Sequence, residues 1–233
     1  CPDGFGAIFV FWLKYQDTIE YYELEHKPIP RKGLDFESLK DRDIWMVDIS
    51  LSRDDLLELK SIAKSLTVLD HHITAKNDLD GLDFCLFDMN HSGAMLAWNY
   101  CFPRIEPLDI IKYIEDRDIF KWKYEESNAI LTVLDTVPRD LQQWKIFSDR
   151  LSFDKFALTL EGNRILLENQ RTIDSLLVNK HILNVAGHKI YFVNTSIYKS
   201  AIGNILAKDS FCGGTYHYDG LYSFAFSHHI RDV

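Results

Sequence analysis

The sequence predicts an α/β protein with a parallel-sheet amino-terminal domain flanked by helices, a long connecting helix and a smaller α/β carboxy-terminal domain. Over the first half of the chain, short β-branched and aliphatic runs alternate with helical stretches, which is the βαβ pattern of a parallel sheet. A long stretch from Asp154 to Asn179 then has apolar residues at helical spacing. We therefore expect a first domain at 1–153, a connector helix at 154–180 and an incomplete second domain at 181–233.

Composition and charge restrict the class of protein. Hydrophobic residues make up 46% of the 233 residues, which supplies a core and argues against disorder. No apolar run approaches the ~20 residues of a membrane helix, and the net charge of −9 repels long nucleic-acid duplexes. The four cysteines have no CxxC spacing, so we expect reduced thiols and a cytoplasmic location. The chain does not begin with methionine, and we expect its natural start to lie upstream of Cys1.

The remaining elements follow from local patterns. A turn at the amino terminus, in which Gly4 and Gly6 permit unusual dihedrals and close backbone approach, precedes an apolar helix from Ala7 to Tyr15. In the first domain we predict strands at 21–25, 44–50, 66–69 and 84–87, and further helices at 52–64, 93–101 and 108–114. A loop covers 26–33, and the segment 124–152 mixes helix and loop. The second domain is predicted to have a strand at 190–193, a helix at 200–208 and a hairpin at 216–226 with its turn at Asp219-Gly220.

Two successive predicted strands end in side chains of the kind that bind metals. The strand at 44–50 carries Asp48 near its end, and the next strand runs into Asp70, His71 and His72. In open α/β sheets, ligands bind at the carboxyl ends of the strands. Carboxylates and imidazoles there suit metal binding or acid–base chemistry near neutral pH. The same residues also serve as turn formers and caps, and the triplet by itself leaves both interpretations open.

Two helix starts supply further candidates. Asp3 lies just before the first predicted helix, either as a site residue or as a simple N-cap. Ser92 and Gly93 begin the helix at 93–101, and Ser92 is a good N-cap. The free N–H groups at this start either hold an anion or belong to an ordinary capped helix.

The run from Glu115 to Asp118 places four charges in an apolar context. It is either a solvated helix end or the source of one more carboxylate for a site. Three or more carboxylates with two histidines suit Mn²⁺ or Mg²⁺. Two such ions ~3.5–4 Å apart can clamp an in-line displacement at phosphorus and lower the pKa of a bridging water. The chain has no glycine-rich P-loop, no GxSxG and no HExxH motif.

In these segments the chain resembles the DHH phosphoesterase superfamily. That superfamily includes single-strand exonucleases, short-oligoribonucleotide and cyclic-dinucleotide phosphodiesterases, and inorganic pyrophosphatases. The resemblance covers nearly the whole chain, and Ser92-Gly93-Ala94 also fits the branch closest to the small oligoribonucleases. Four motifs occur in order at fitting spacing, and they are Cys1 to Ala7, Val47 to Ser50, Leu69 to His72, and Tyr113 to Asp118.

The resemblance implies a hydrolase of two domains with a cleft between them, which uses two Mn²⁺ ions, or Mg²⁺ as the alternative. Asp70 and His72 would have the catalytic roles, Asp70 by orienting His71 and His72 by facing the scissile phosphate as a donor or acid. The implied metal ligands are Asp3, Asp48, His71 and either Asp118 or Asp116. Asp118 is favoured because the aromatic-rich segment 119–122 follows it as in relatives. The implied substrate-binding residues are Ser92, Gly93 and Arg231.

Two departures from the family pattern affect these expectations. The family has a histidine, and often another aspartate, just before this chain begins, and Cys1 stands near the position of that aspartate. Its carboxy-terminal domain has a Ser-Leu-Arg-Ser-like strand and then a glycine-rich loop that grips substrate. The matching strand here reads Phe226 to Arg231, includes His228 and His229, and ends before any such loop. Arg231 is the candidate for the family's arginine.

The sequence therefore predicts a metal-dependent phosphodiesterase or nuclease that acts on short oligonucleotides or small nucleotides. Long duplex nucleic acid and membranes are not expected as partners. Two alternatives remain, a catalytically impaired nucleotide-binding protein and a hydrolase of polyphosphate or pyrophosphate. The oligomeric state does not follow from the sequence.

Overall fold

The computed structural model describes residues 1–24, 34–185, 187–218 and 222–227. Over these residues it has the predicted α/β class, with a three-stranded parallel sheet, a long helix and a four-stranded mixed sheet in that order. The chain divides into two compact units, 1–162 and 163–233. The division lies inside the long helix and not at its start, because early residues of that helix pack within the first unit, as Gly162 does against Ala129.

A parallel sheet organises the first unit. Its described strands are β1 (Asp43–Val47), β2 (Ser65–Asp70) and β3 (Cys85–Phe87), in the order β1-β2-β3. Met46 is aligned with Val68, and each strand runs parallel to its neighbour. The carboxyl ends of the three strands therefore lie at one edge of the sheet.

With one exception, the helices of the first unit coincide with apolar or amphipathic segments. They are α1 (Pro2–Tyr15), α2 (Arg53–Ile62), α3 (Ile73–Asp78), α4 (Gly93–Cys101), α5 (Asp109–Asp118), α6 (Ser127–Leu134) and α7 (Leu141–Phe153). Trp144 is buried and packs against the rings of Phe5 and Phe9. Burial of these apolar faces is the main stabilising contribution in such a unit.

Helix α1 begins earlier than the sequence predicts. The predicted turn is its first helical turn, because Pro2 suits a first helical position and the Sγ atom of Cys1 accepts a hydrogen bond from the N–H of Gly4 at 3.2 Å. Gly4 and Gly6 are therefore helical, and their role is close approach. A Cβ atom on Gly6 would lie 3.0 Å from the Cβ atom of Ala94 in α4.

Two segments of the first unit differ from the prediction. Residues 21–24 form no strand, although their composition favours one, because strand propensity depends on a neighbouring strand and on burial. Residue 25 and the predicted loop at 26–33 lie outside the described residues. Helix α3 is not predicted by the sequence, because it has no apolar face and none of its residues is buried.

The second unit contains a mixed sheet. Its described elements are β4 (His181–Val185), β5 (His188–Asn194), α9 (Lys199–Ala207), β6 (Gly213–Tyr218) and β7 (Tyr222–Ser227), after α8 (Lys155–Leu177), which begins in the first unit. Strands β5 and β6 are parallel, and the pairs β4–β5 and β6–β7 are antiparallel. The predicted hairpin is thus β6–β7, and its turn at Asp219-Gly220 lies outside the described residues. Strand β4 is not predicted by the sequence, because it is largely exposed and its apolar and polar residues do not alternate.

No described helix combines the length and the apolar character needed to cross a membrane. All four cysteines lie within the described ranges, and each of them is a free thiol. Cys1 is exposed, whereas Cys101 is buried in α4.

Candidate metal centre

Three carboxylates surround one ring nitrogen of His71. Its Nε2 atom lies 3.2 Å from Asp48 Oδ1, 3.5 Å from Asp118 Oδ2 and 3.6 Å from Asp3 Oδ2. Asp3, His71 and Asp118 offer ligand atoms within 4.8 Å of one another, and so do Asp48, His71 and His72. We call Asp3, Asp48, His71 and Asp118 the acidic centre.

Asp3 is held by the start of a neighbouring helix. It lies in the first turn of α1, and its carboxylate accepts hydrogen bonds from the N–H of Gly93 at 2.6 Å and the N–H of Ala94 at 2.9 Å. Ser92 is fully buried and caps α4, accepting from the N–H of Met95 at 3.3 Å. The free N–H groups of α4 therefore do hold an anion, and this anion is the carboxylate of Asp3.

Asp48 follows β1 in a left-handed backbone conformation. Its φ is 57°, in a region that aspartate and asparagine enter more readily than most residues. Its Oδ2 atom accepts a hydrogen bond from the Sγ atom of Cys1 at 3.0 Å. Gly93 approaches so closely that a Cβ atom there would lie 2.5 Å from Asp48 Cβ. Asp48 is therefore fixed by its backbone and by contacts from α1 and α4.

Asp70 is predicted to orient His71, but its carboxylate lies against the ring of His72 and not against that of His71. Its Oδ1 atom accepts from the backbone N–H of His71 at 2.7 Å and lies 2.7 Å from Nδ1 of His72. Ser50 donates its hydroxyl to the other carboxylate oxygen. Asp70 is buried at the end of β2, whereas the side chain of His72 is 43% exposed. Asp70 therefore fixes the turn after β2 and orients the more exposed imidazole.

The two alternative ligands of the fourth motif separate in space. Asp118, at the end of α5, belongs to the acidic centre. Asp116 is buried, and its carboxylate accepts from the N–H of Lys123 at 2.6 Å, the N–H of Tyr124 at 3.3 Å and the hydroxyl of Ser127. Asp116 thus holds the segment between α5 and α6. We therefore correct the alternative prediction that Asp116 is a metal ligand.

Burial and repulsion from neighbouring carboxylates oppose ionisation of Asp3 and Asp118. Burial, with the charges of Asp48 and Asp118, raises the pKa of Asp3 to about 7. Burial also raises the pKa of Asp118. The hydrogen bond to Asp48, with the charges of Asp3 and Asp118, raises the pKa of His71 to about 9. The imidazolium of His71 therefore offsets part of the negative charge, and a bound cation would have to replace its Nε2 proton.

The donor set of the acidic centre fits Mn²⁺ or Mg²⁺. Carboxylates and one imidazole are hard to borderline ligands, which these ions accept. Neighbouring ligands of an octahedral ion with bonds of ~2.1 Å lie ~3 Å apart. The distances of 3.2–3.6 Å from His71 Nε2 to the three carboxylates are close to that spacing. A second group, Asp48, His71 and His72, shares His71 with the first and offers further donor atoms beside it.

Two of the predicted substrate-binding residues, Ser92 and Gly93, lie at the buried start of α4 and not at an open surface. Ser92 and Gly93 are buried, and the start of α4 that they form holds Asp3, so they position a residue of the acidic centre and do not offer a substrate surface. Arg231 lies outside the described residues, as do His228 and His229.

A polar cluster beside α4 is not predicted by the sequence. The buried carboxylate of Glu115 lies 2.9 Å from Nδ1 of His91 and 2.7 Å from Nζ of Lys121. Lys121 also donates to the carbonyl of Asn90 at 3.1 Å. The charged run that ends α5 was the available signal, but which of its members faces inward depends on how α5 packs.

Comparison with known proteins gives relatives whose functions are not described. No protein-family model matches the chain. A curated protein of Acanthamoeba polyphaga mimivirus, described as uncharacterized, is 27% identical over 223 residues, which cover 88% of this chain and 52% of that protein. The chain therefore spans about half the length of the curated relative that it matches. An uncharacterized protein from Helicobacter pylori has a crystal structure that matches with a TM-score of 0.56 and 13% identity, covering 96% of this chain and 82% of that one. At this identity the likeness concerns the fold alone.

Proposed function

We propose that the protein is a DHH-type, metal-dependent phosphodiesterase that hydrolyses phosphoester bonds of short oligonucleotides or small nucleotides. The observation that carries the proposal is the approach of three carboxylates to the Nε2 atom of His71 within 3.6 Å. Each of the four motifs on which the family resemblance rests contributes one side chain to this point. A set of structural caps would not require their convergence, whereas a shared site for cations does.

Asp3, Asp48, His71 and Asp118 would hold two Mn²⁺ ions, with Mg²⁺ as the alternative. Bound divalent ions would supply positive charge to a phosphate and favour ionisation of water near neutral pH. The chain's own contribution is to present these ligands already in place. Asp3 and Asp48 are almost fully buried and fixed by α4, which limits the reorganisation that binding requires.

His72 is the proposed proton donor to the phosphate. Its hydrogen bond with Asp70 raises the pKa of His72. Burial opposes ionisation of Asp70, but hydrogen bonds from His72 and Ser50 outweigh it and lower the pKa of Asp70. The pair therefore favours an imidazolium held by a carboxylate, which orients the ring and stabilises its charge.

The charge of the chain supports a small substrate. A net charge of −9 disfavours long duplexes, whereas a short oligonucleotide brings few phosphates to one neutralised centre. We further propose that the protein acts in the cytoplasm, because its four cysteines are free thiols.

One observation favours a second candidate, a nucleotide-binding protein without turnover. The Sγ atom of Cys1 donates a hydrogen bond to Asp48 Oδ2 at 3.0 Å, and so engages a carboxylate that the proposed enzyme would use for its ions. Such a protein would bind a nucleotide with Mn²⁺ and leave it intact.

The protein is expected to hydrolyse a ribodinucleotide with Mn²⁺ and to lose this activity with EDTA. In Asp118→Asn the rate should fall by about 100-fold or more, because losing a ligand costs more than losing a supporting residue. The control is Asp109→Asn at the other end of α5, which pairs with Lys112 and lies outside the acidic centre.

Nucleotide binding without cleavage would identify the second candidate. Cleavage of polyphosphate but not of the dinucleotide would identify a phosphoanhydride hydrolase.

Asp70→Asn should lower kcat by about 10- to 100-fold and leave Mn²⁺ binding nearly unchanged. Asparagine keeps the size of the side chain and an oxygen that can accept from the N–H of His71, but it removes the charge that holds His72. Steady-state kinetics and a Mn²⁺ titration measure the two effects separately. The control is Asp43→Asn, an exposed carboxylate of β1 that pairs with Lys64. A normal kcat in Asp70→Asn would contradict the role of His72.

A further inference from the structure

A strained aromatic turn follows the acidic centre in the chain. We define it as residues 119–122, directly after α5. Phe120 and Trp122 have φ values of 55° and 46°, a left-handed conformation that is unusual and costly for aromatic residues. Their side chains are 78% and 48% exposed. The chain thus adopts an unfavourable backbone that leaves two large apolar rings in water.

The aromatic turn is held by buried polar groups. The backbone carbonyl of Asp116 accepts from the N–H of Trp122 at 3.3 Å, and the Asp116 carboxylate accepts from the N–H of Lys123 at 2.6 Å. The Nζ atom of Lys121 donates to the buried carboxylate of Glu115 at 2.7 Å. These bonds fix the backbone after Phe120, and Phe120 itself donates its N–H to the carbonyl of Arg117 at 3.3 Å.

Phe120 forms a wall of the cavity that contains two residues of the acidic centre. The cavity has a volume of about 190 Å³, and it is lined by Pro2, Asp3, Ile114, Arg117, Asp118 and Phe120. The guanidinium of Arg117 is engaged by both carboxylate oxygens of Asp135, at 2.8 and 2.9 Å. The cavity therefore joins the carboxylates proposed to hold ions to one exposed aromatic face.

We propose that Phe120 stacks on a nucleobase of the substrate, which makes the site selective for nucleotides over base-free phosphates. The inference rests on the proposed function and names its substrate class. A ligand that suits both parts of the cavity must combine an anionic phosphate with a flat aromatic group. Polyphosphate and pyrophosphate offer no surface to Phe120, whereas every nucleobase does, whatever its sequence.

The test compares binding of a mononucleotide and of inorganic pyrophosphate to the protein with Mn²⁺, by calorimetry. Phe120→Ala should raise the Kd of the mononucleotide by about 10- to 100-fold and leave the Kd of pyrophosphate within about twofold, because one stacking contact is lost. Phe120→Trp should retain nucleotide affinity. Phe153→Ala is the matched control, since Phe153 is also 78% exposed but lies at the end of α7 and does not line the cavity.

The outcomes separate this inference from the proposed function. An unchanged nucleotide Kd in Phe120→Ala, or no nucleotide binding by the unaltered protein, overturns the stacking role. Hydrolysis of a dinucleotide with an unchanged KM in Phe120→Ala would overturn stacking and leave the phosphodiesterase intact. Binding that depends on Phe120 without any hydrolysis would support stacking and reject the phosphodiesterase.

Discussion

Replacing His71 with alanine should abolish Mn²⁺ binding at the acidic centre and lower phosphodiester hydrolysis by more than about 100-fold. His71 is the residue common to both groups of potential ligands, and its Nε2 atom lies within 3.6 Å of three carboxylates. Its loss removes a ligand and leaves Asp3, Asp48 and Asp118 to repel one another. Calorimetric titration with Mn²⁺ and hydrolysis of a dinucleotide measure the two losses.

The melting temperature gives a readout that does not depend on activity. An ion that binds only the folded state, at a concentration 100 times its Kd, stabilises that state by about 2.7 kcal/mol. Mn²⁺ should therefore raise the melting temperature of the unaltered protein and not that of His71→Ala. His188→Ala, in β5 of the second unit, is the control and should respond like the unaltered protein. Equal Mn²⁺ stoichiometry in His71→Ala would refute the proposed centre.

Gly93→Ala should weaken Mn²⁺ binding by about 10- to 100-fold and destabilise the protein by about 1–3 kcal/mol. A Cβ atom at this position would lie 2.5 Å from Asp48 Cβ and 2.9 Å from its Cγ. Either α4 or Asp48 must move, and a shift of α4 would also disturb the 2.6 Å hydrogen bond from Gly93 to Asp3. Two residues of the acidic centre are thus affected by one methyl group.

The direction of the stability change in Gly93→Ala tests the close approach of Gly93 to Asp48. Within a helix, alanine is ordinarily more stable than glycine by about 0.5–1 kcal/mol, so destabilisation requires a specific steric conflict. Urea denaturation and a Mn²⁺ titration provide the measurements. Asn99→Ala, at an exposed position of the same helix, is the control and should preserve Mn²⁺ affinity. Gly93→Ala with normal stability and normal affinity would show that the close approach has no role.

The choice between Asp116 and Asp118 shows what the packing of α5 adds to the sequence. Residues two positions apart on a helix point in directions about 200° apart, so only one of the two can face a given neighbour. The predicted helix ends at 114, so the helical pattern orients neither residue, and only the family resemblance favours Asp118. The packing of α5 directs Asp118 towards His71 and leaves Asp116 to accept hydrogen bonds from the segment after the helix.

Local signals determined the strands, the capped helices and the α/β class. Strands β1 and β2 were predictable because short apolar runs between turn formers persist in any context that buries them, and α4 because Ser92 caps an apolar run. Segments without such a pattern, such as α3 and β4, were not predictable, because neither has a buried face.

The sequence by itself determined that carboxylates and imidazoles would lie at helix starts and strand ends, and that the N–H groups of α4 could hold an anion. Only the tertiary structure decided that this anion is Asp3, 90 positions away in the chain. It also decided that Asp70 supports His72 and not the ring of His71. The reason is physical, because capping and strand propensity act over a few residues, whereas the partner of a buried charge depends on which distant segments pack around it.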